Sequence, residues 1–156
     1  MEDKPEDKAK AKEKAAEEVD VASREAAEVP PQTRAEVSGA LGEWMAATNS
    51  GDIGKQMNLY NPQLGAFYRK RDVTRADVQA EKQRLFDQAS KIDVRAGEPQ
   101  ITISRDGRTA TTRFRKRYNI EGAKENREGE VLQELRWVKT ENGWKIVSER
   151  DLKVIR

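Results

Sequence analysis

The sequence contains no cysteine and no histidine. The first absence excludes disulfides, thiolate nucleophiles and zinc–sulfur sites. The second removes the commonest general base, the commonest neutral metal ligand and any serine–histidine–aspartate triad. No metal and no cofactor are therefore expected, and no glycine-rich phosphate loop argues otherwise. Long apolar runs are missing too. None approaches the ~18 residues of a membrane span, and Met1-Glu2-Asp3-Lys4 lacks a signal peptide's apolar region. The expectation is a chain without membrane insertion, cytoplasmic as given or an extracytoplasmic domain trimmed of a leader, and the sequence does not choose between them. Aromatics are sparse at 6%, while 37% of the 156 residues are charged, so only part of the chain can build a core.

What is present divides unevenly. Residues 1–29 are rich in Ala, Glu and Lys and hold ten acidic and six basic side chains, net −4; the remainder carries net +6. Nothing in that first stretch can bury a face, which predicts a solvated tail or tether over 1–31 and a folded domain over 32–156. Pro30-Pro31 closes the tail, because proline blocks continuation of a helix. Thr33 and Glu36 have capping-box spacing, and Val37, Leu41, Trp44 and Met45 then fall on one helical face. Asp52 can cap a second, shorter helix carrying Ile53, Met57 and Tyr60, which Asn61-Pro62 stops. Leu64–Tyr68 reads as a short strand and Arg69-Lys70-Arg71 as a basic loop. Thr74 caps a third helix with Val78, Leu85, Phe86 and Ala89 as its stripe. Period-two alternation marks strands at Ile92–Val94 and Gln100–Ser104, and three long ones at Arg108–Ile120, Glu130–Lys139 and Trp144–Leu152. Asp106-Gly107 and Asn142-Gly143 supply hairpin turns before two of these. The order predicts an α+β fold, three N-terminal helices packed on a curved, mainly antiparallel sheet.

The residues just named resemble the nuclear transport factor 2-like superfamily, in its SnoaL-like, ketosteroid-isomerase-like bacterial branch. The resemblance covers about residues 34–152. Trp44 with Gly51-Asp52, Leu59-Tyr60 before Asn61-Pro62, Leu85-Phe86, Ala110, Phe114, Tyr118, Leu135, Trp137 and Gly143-Trp144-Lys145-Ile146 carry it. It implies a cone whose curved sheet wraps the helices and leaves a pocket at its open end. Some members are isomerases, dehydratases, cyclases or hydrolases; others only bind ligands, dimerise or sit as appended domains, so function has to come from the site.

Alternation assigns the sheet faces. Ala110, Thr112, Phe114, Lys116 and Tyr118 share the inner face with Val131, Gln133, Leu135 and Trp137, and with Trp144, Ile146, Ser148 and Arg150. The outer face then receives Arg113, Arg115 and Arg117, Glu134 and Arg136, and Glu149 and Asp151, an arrangement that reads as cross-strand charge pairing. The predicted ligand pocket is lined by Tyr60, Lys116, Tyr118, Gln133, Ser148 and Arg150, suited to a small polar or acidic ligand. The competing reading makes the tyrosines core residues with satisfied hydroxyls and lets the cations reach out to solvent.

No catalytic residue is assigned. Catalytic relatives place an inward Asp, or an Asp with a His, as proton-transfer base; here Tyr60–Phe67 holds no carboxylate and histidine is absent. The expectation is a non-catalytic accessory domain that binds a small ligand or a protein partner. The alternative is a small isomerase- or dehydratase-type enzyme using a pocket carboxylate, Asp93, with Tyr60 and Tyr118. A homodimer through the outer face would have to be polar. Nucleic acid is disfavoured, because the arginine run is neutralised by neighbours and lacks stacking aromatics.

Overall fold

A computed structural model describes residues 30–156; residues 1–29 of the tail expected over 1–31 lie outside the described residues. Helix α1 spans Pro31–Ser50 and α2 spans Ile53–Met57. Strands β1, Gln63–Phe67, and β2, Lys70–Thr74, form a hairpin that leads into α3, Arg75–Gln88. Strands β3, Ala89–Ala96, and β4, Gln100–Ile103, precede the long β5, Thr109–Gly122, β6, Asn126–Thr140, and β7, Gly143–Val154.

Local chemistry sets the helix ends. Asp52 accepts from the Lys55 amide, as expected of a cap, and Gly51 takes the left-handed conformation that ends α1. At Thr74 the capping is reciprocal: its hydroxyl accepts from the Asp77 amide while the Asp77 carboxylate accepts from the Thr74 amide. The Thr33–Glu36 box does not form. Proline at the first position is preorganised for a helix, so α1 starts at Pro31 without any side-chain cap. The supposed basic loop is corrected as well, since Lys70 and Arg71 pair with Phe67 and Ala66 in the β1–β2 hairpin.

All strands belong to one sheet in the order β2-β1-β7-β6-β5-β3, with β4 also paired to β5. Only β1 runs parallel to its neighbour β7; the other ladders are antiparallel. Strands β3 and β4 share one edge of β5, β3 on Lys116–Gly122 and β4 on Ala110–Arg113. The helices cover the inner face. Val37, Leu41 and Trp44 of α1 pack with Phe114, Leu135, Trp137 and Ile146 in one buried cluster, and each such side chain contributes about 1.5–3 kcal/mol of burial energy. The Asn49 side chain accepts from the Val94 amide and donates to its carbonyl, which fixes the end of α1 to β3. Helix α3 sits less deeply than its stripe predicts. Only Val78 is buried, and Leu85 and Phe86 stay half-exposed, Leu85 in the wall of an open cleft.

Sheet register decides what faces inward. Strands β5 and β6 follow simple alternation, with Phe114 opposite Gln133 and Thr112 opposite Leu135. Strand β7 does not. Trp137 pairs with Ile146 but Arg136 pairs with Ser148, so Val147 is an extra residue, a β-bulge. One inserted residue exchanges the faces of those that follow, here until a second extra residue, Leu152, restores them. Glu149 and Asp151 therefore stand opposite inward Leu135 and Gln133, while Ser148 and Arg150 stand opposite outward Arg136 and Glu134.

Candidate functional site: a buried carboxylate network beneath an open cleft

The bulge brings Glu149, fully buried, under the helices. Two segments converge on it. The chain between α2 and β1 adds to the edge of β7 through a Tyr60–Ile146 bridge and the Ile146 amide, which donates to the Leu59 carbonyl. This sets the Tyr60 hydroxyl 2.5 Å from Glu149 Oε1, to which it donates, while it accepts from Trp44 Nε1 at 2.9 Å. Tyr68 occupies the β1–β2 turn with φ of 55°, a left-handed backbone uncommon outside glycine. That turn lets its amide donate to the Glu149 carbonyl at 2.7 Å and its hydroxyl donate to Glu149 Oε2 at 2.8 Å. Lys82 of α3 supplies the counter-charge, 2.8 Å from Oε2, with its ammonium near the rings of Trp44, Phe67 and Tyr68. Gln133 extends the network: its amide nitrogen donates to the Tyr68 hydroxyl at 3.0 Å and to Asp151 Oδ1 at 3.2 Å.

The electrostatics follow from this packing. Burial alone would raise the Glu149 pKa, but the charge and hydrogen bond of Lys82, with the Tyr60 hydroxyl and the Lys116 charge, hold it below its usual value. Burial, then the Glu149 charge, pushes both Tyr60 and Tyr68 well above the ordinary phenol value, so both hydroxyls keep their protons. Asp151 is raised, first by burial and against the pull of Lys116, with Glu149 adding to the rise. Lys116 is lowered to about 8, chiefly by burial and then by the neighbouring Lys82 charge.

Above the network lies an open cleft of about 860 Å³, with Tyr68, Lys82, Leu85, Arg127, Asp151 and Leu152 among its walls. Its size falls within the roughly 300–1,000 Å³ of small-molecule sites. A larger hollow of about 1270 Å³ lies between α1 and residues 139–145, but no member of the network lines it.

The structure places the six sequence-predicted pocket residues differently. Tyr60 and Gln133 join the network directly, and Lys116 stands on the inner face beside it, diagonal to Gln133. Ser148 and Arg150 are corrections: the bulge turns them outward, and although Arg150 borders the cleft its guanidinium pairs with Glu134 at 2.8 Å. Tyr118 leaves the cluster too, lying over Gly129 of β6, where a Cβ would meet its hydroxyl at 2.7 Å. Asp93 is half-exposed and pairs with Arg95 at 3.1 Å, so it is not an inward carboxylate. On the outer face the charge pairing holds with altered partners. Arg113, Arg136 and Arg150 surround Glu134, and Arg115, Arg117 and Arg156 surround Glu130. Sequence reasoning missed Glu149, Tyr68, Lys82 and Asp151. Val147 and Ser148 carry no glycine or proline to signal the bulge.

Fold and site together define a cone-shaped α+β domain with a pocket at its open end. The chain belongs to the SnoaL-like domain family, whose model matches residues 37–150. Among solved structures it is similar to a protein from Streptomyces avermitilis whose name proposes a dehydratase of the nuclear transport factor 2-like family. The identity is 14%, with a TM-score of 0.69 over 81% of this chain and 99% of that one. It is also similar to a nuclear transport factor 2-like superfamily protein of Salmonella enterica, at 12% identity and TM-score 0.70 over 80% and 93% of the two chains. A Novosphingobium aromaticivorans protein, named as a proposed aromatic ring hydroxylase, matches at 16% identity and TM-score 0.70 over 81% and 92%. At these identities the likeness shows the fold alone. Comparison with curated proteins gave no match.

Proposed function

We propose that this domain binds a small organic ligand in the cleft over Tyr68, Lys82 and Asp151. The observation that supports this reading is an orphaned acceptor: Gln133 is fully buried beside the cleft, and its Oε1 has no hydrogen-bond partner. A buried polar atom left unpaired costs about 1–3 kcal/mol, a penalty that a ligand hydroxyl or amide would relieve. Glu149 itself is poorly suited to proton abstraction. Its oxygens already accept from Tyr60, Tyr68 and Lys82, and its carboxyl is held in the ionised form. Thermal-shift screening of small polar and acidic compounds on the parent and on Gln133→Met tests the proposal. Stabilisation of the parent that shrinks in the variant supports a working pocket; equal shifts in both would remove the role of Gln133.

A second reading draws on Asp151. The bulge carries this carboxylate to the cleft wall, where burial raises its pKa and Gln133 orients it, as a proton-transfer base requires. Solvent-deuterium exchange into a bound carbon acid, lost in Asp151→Asn with binding retained, would favour the enzyme; no exchange in the parent would favour the binding domain.

A further inference from the structure

The cleft has a chemical bias that the buried network does not explain. Three large hydrophobic side chains are exposed among the described residues, Tyr68, Leu152 and Val154, and all three line this one cleft. Val154 is 74% exposed. Exposed apolar side chains scattered singly need no explanation, but their confinement to one concavity does. Phe67 and Leu85 continue the same apolar wall.

Cations gather at the same place. Arg69, Arg127 and Lys153 line the cleft, and among the described residues none of the three makes a side-chain hydrogen bond or ion pair. The other basic side chains at the walls are committed elsewhere: Lys70 pairs with Glu81, Lys82 with Glu149 and Arg150 with Glu134. Lys116 adds a fourth uncommitted cation. It lies behind the cleft wall, repelled by Lys82 and Arg127 and attracted by Glu149 and Asp151, yet it forms no hydrogen bond or ion pair. It stands on β5 opposite Val131, one diagonal from the orphaned Gln133 oxygen. Asp151 is the one acidic cleft residue with no basic partner in an ion pair, so positive charge prevails.

From this combination we infer that the ligand is an amphipathic organic carboxylate, with an apolar body against Tyr68, Leu152 and Val154 and its anionic head toward Lys116. This deepens the ligand-binding reading and rests on it. Lys116 makes no direct ion pair inside the cone, where Glu149 and Asp151 offset its desolvation without touching it, and an arriving carboxylate supplies a counter-charge in contact. A hydroxyl next to the carboxylate would in addition satisfy Gln133 Oε1. A neutral ligand of the same shape would fill the apolar wall and leave Lys116 as it was.

Calorimetric titration of the full chain with octanoate, octan-1-ol and octylamine separates the possibilities at neutral pH. The inference expects octanoate to bind about tenfold more tightly than the alcohol, with the amine weaker still. Lys116→Met should lower the octanoate affinity by about tenfold while changing that of the alcohol by less than about threefold. The variant is checked for folding by circular dichroism, and Arg127→Gln provides a second substitution at the wall with a smaller loss in the same direction. Equal binding of octanoate and octanol overturns the carboxylate preference but leaves a ligand pocket standing. Unchanged octanoate binding in Lys116→Met overturns the role of that residue. If none of the three compounds binds, the inference and the ligand-binding reading both fail.

Discussion

The Tyr60 hydroxyl donates to Glu149 Oε1 across 2.5 Å, joining the end of the helical layer to the third long strand inside the core. Both groups are fully buried, so neither has water as a substitute. The hydroxyl also accepts from Trp44 Nε1. Tyr60→Phe keeps the ring but strands the indole N–H and one carboxylate lone pair. Urea unfolding should show a loss of about 1–3 kcal/mol. A loss below a few tenths would mean that the phenol is not holding the carboxylate.

Glu149→Gln should be more damaging. The substitution leaves the Lys82 ammonium buried without its counter-ion, and breaking such a pair costs about 3–5 kcal/mol. The pH dependence has a definite sign. The folded-state pKa of Glu149 lies below its unfolded value, so its contribution is complete above the unfolded value and disappears as pH falls through the folded one. Parent and variant midpoints should therefore differ most at neutral pH and converge in acid. A gap that stays constant into acid would contradict the assignment.

Lys116→Met should stabilise the free protein. The Lys116 pKa lies at about 8 in the fold, lowered by burial first and then by Lys82, with Glu149, Asp151 and Arg127 also facing it. At neutral pH the fold carries the penalty of a desolvated ammonium that methionine lacks. As pH rises from about 8 toward the unfolded lysine value the native lysine is already neutral, so the variant's advantage should shrink. Thermal melts across that range provide the check, and a lower midpoint for the variant at neutral pH would count against it.

Two glycines make a contrasting pair. A Cβ at Gly129 would approach the Tyr118 hydroxyl at 2.7 Å and the Arg156 carbonyl at 2.9 Å, so Gly129→Ala should destabilise by about 1–3 kcal/mol. Gly39 lies inside α1 with nothing near its missing Cβ, and Gly39→Ala should stabilise by about 0.5–1 kcal/mol. Chemical denaturation of both reads the difference, and equal effects would show that the crowding at Gly129 is easily relieved.

The fold was legible because its signals are local and repeated. Val37, Leu41 and Trp44 recur at helical spacing, and Phe114, Gln133, Leu135 and Trp137 alternate along strands that keep strict register. Asp52 and Thr74 announced their helices and cap them as expected. The site was less legible for a physical reason. The identity of its carboxylates depends on the parity of β7, and Val147 inverts that parity without an unusual residue to mark it. Ser148 and Arg150 were thus counted inward and Glu149 and Asp151 outward, a single displacement that reversed four assignments. Lys82 and Tyr68 were hidden differently: each belongs to an element with a polar surface, and only the tertiary approach of α3 and the β1–β2 turn brings them to Glu149.

The indole of Trp44 has a further consequence. An indole nitrogen only donates, so Tyr60 must pass its own proton onward to Glu149, and Tyr68, giving its proton to the same carboxylate, must receive from Gln133. The bonds converge on Glu149 from two sides, from the sealed indole through Tyr60 and from Gln133 through Tyr68, while Gln133 also donates to Asp151, and both Tyr68 and Asp151 reach the cleft. A molecule settling on Asp151 or Tyr68 would pull first on the Gln133 and Tyr68 bonds and reach the indole only through Glu149 and Tyr60. The indole N–H proton, whose resonance stands apart from the rest of a protein spectrum, would register that pull at the sealed end of the line.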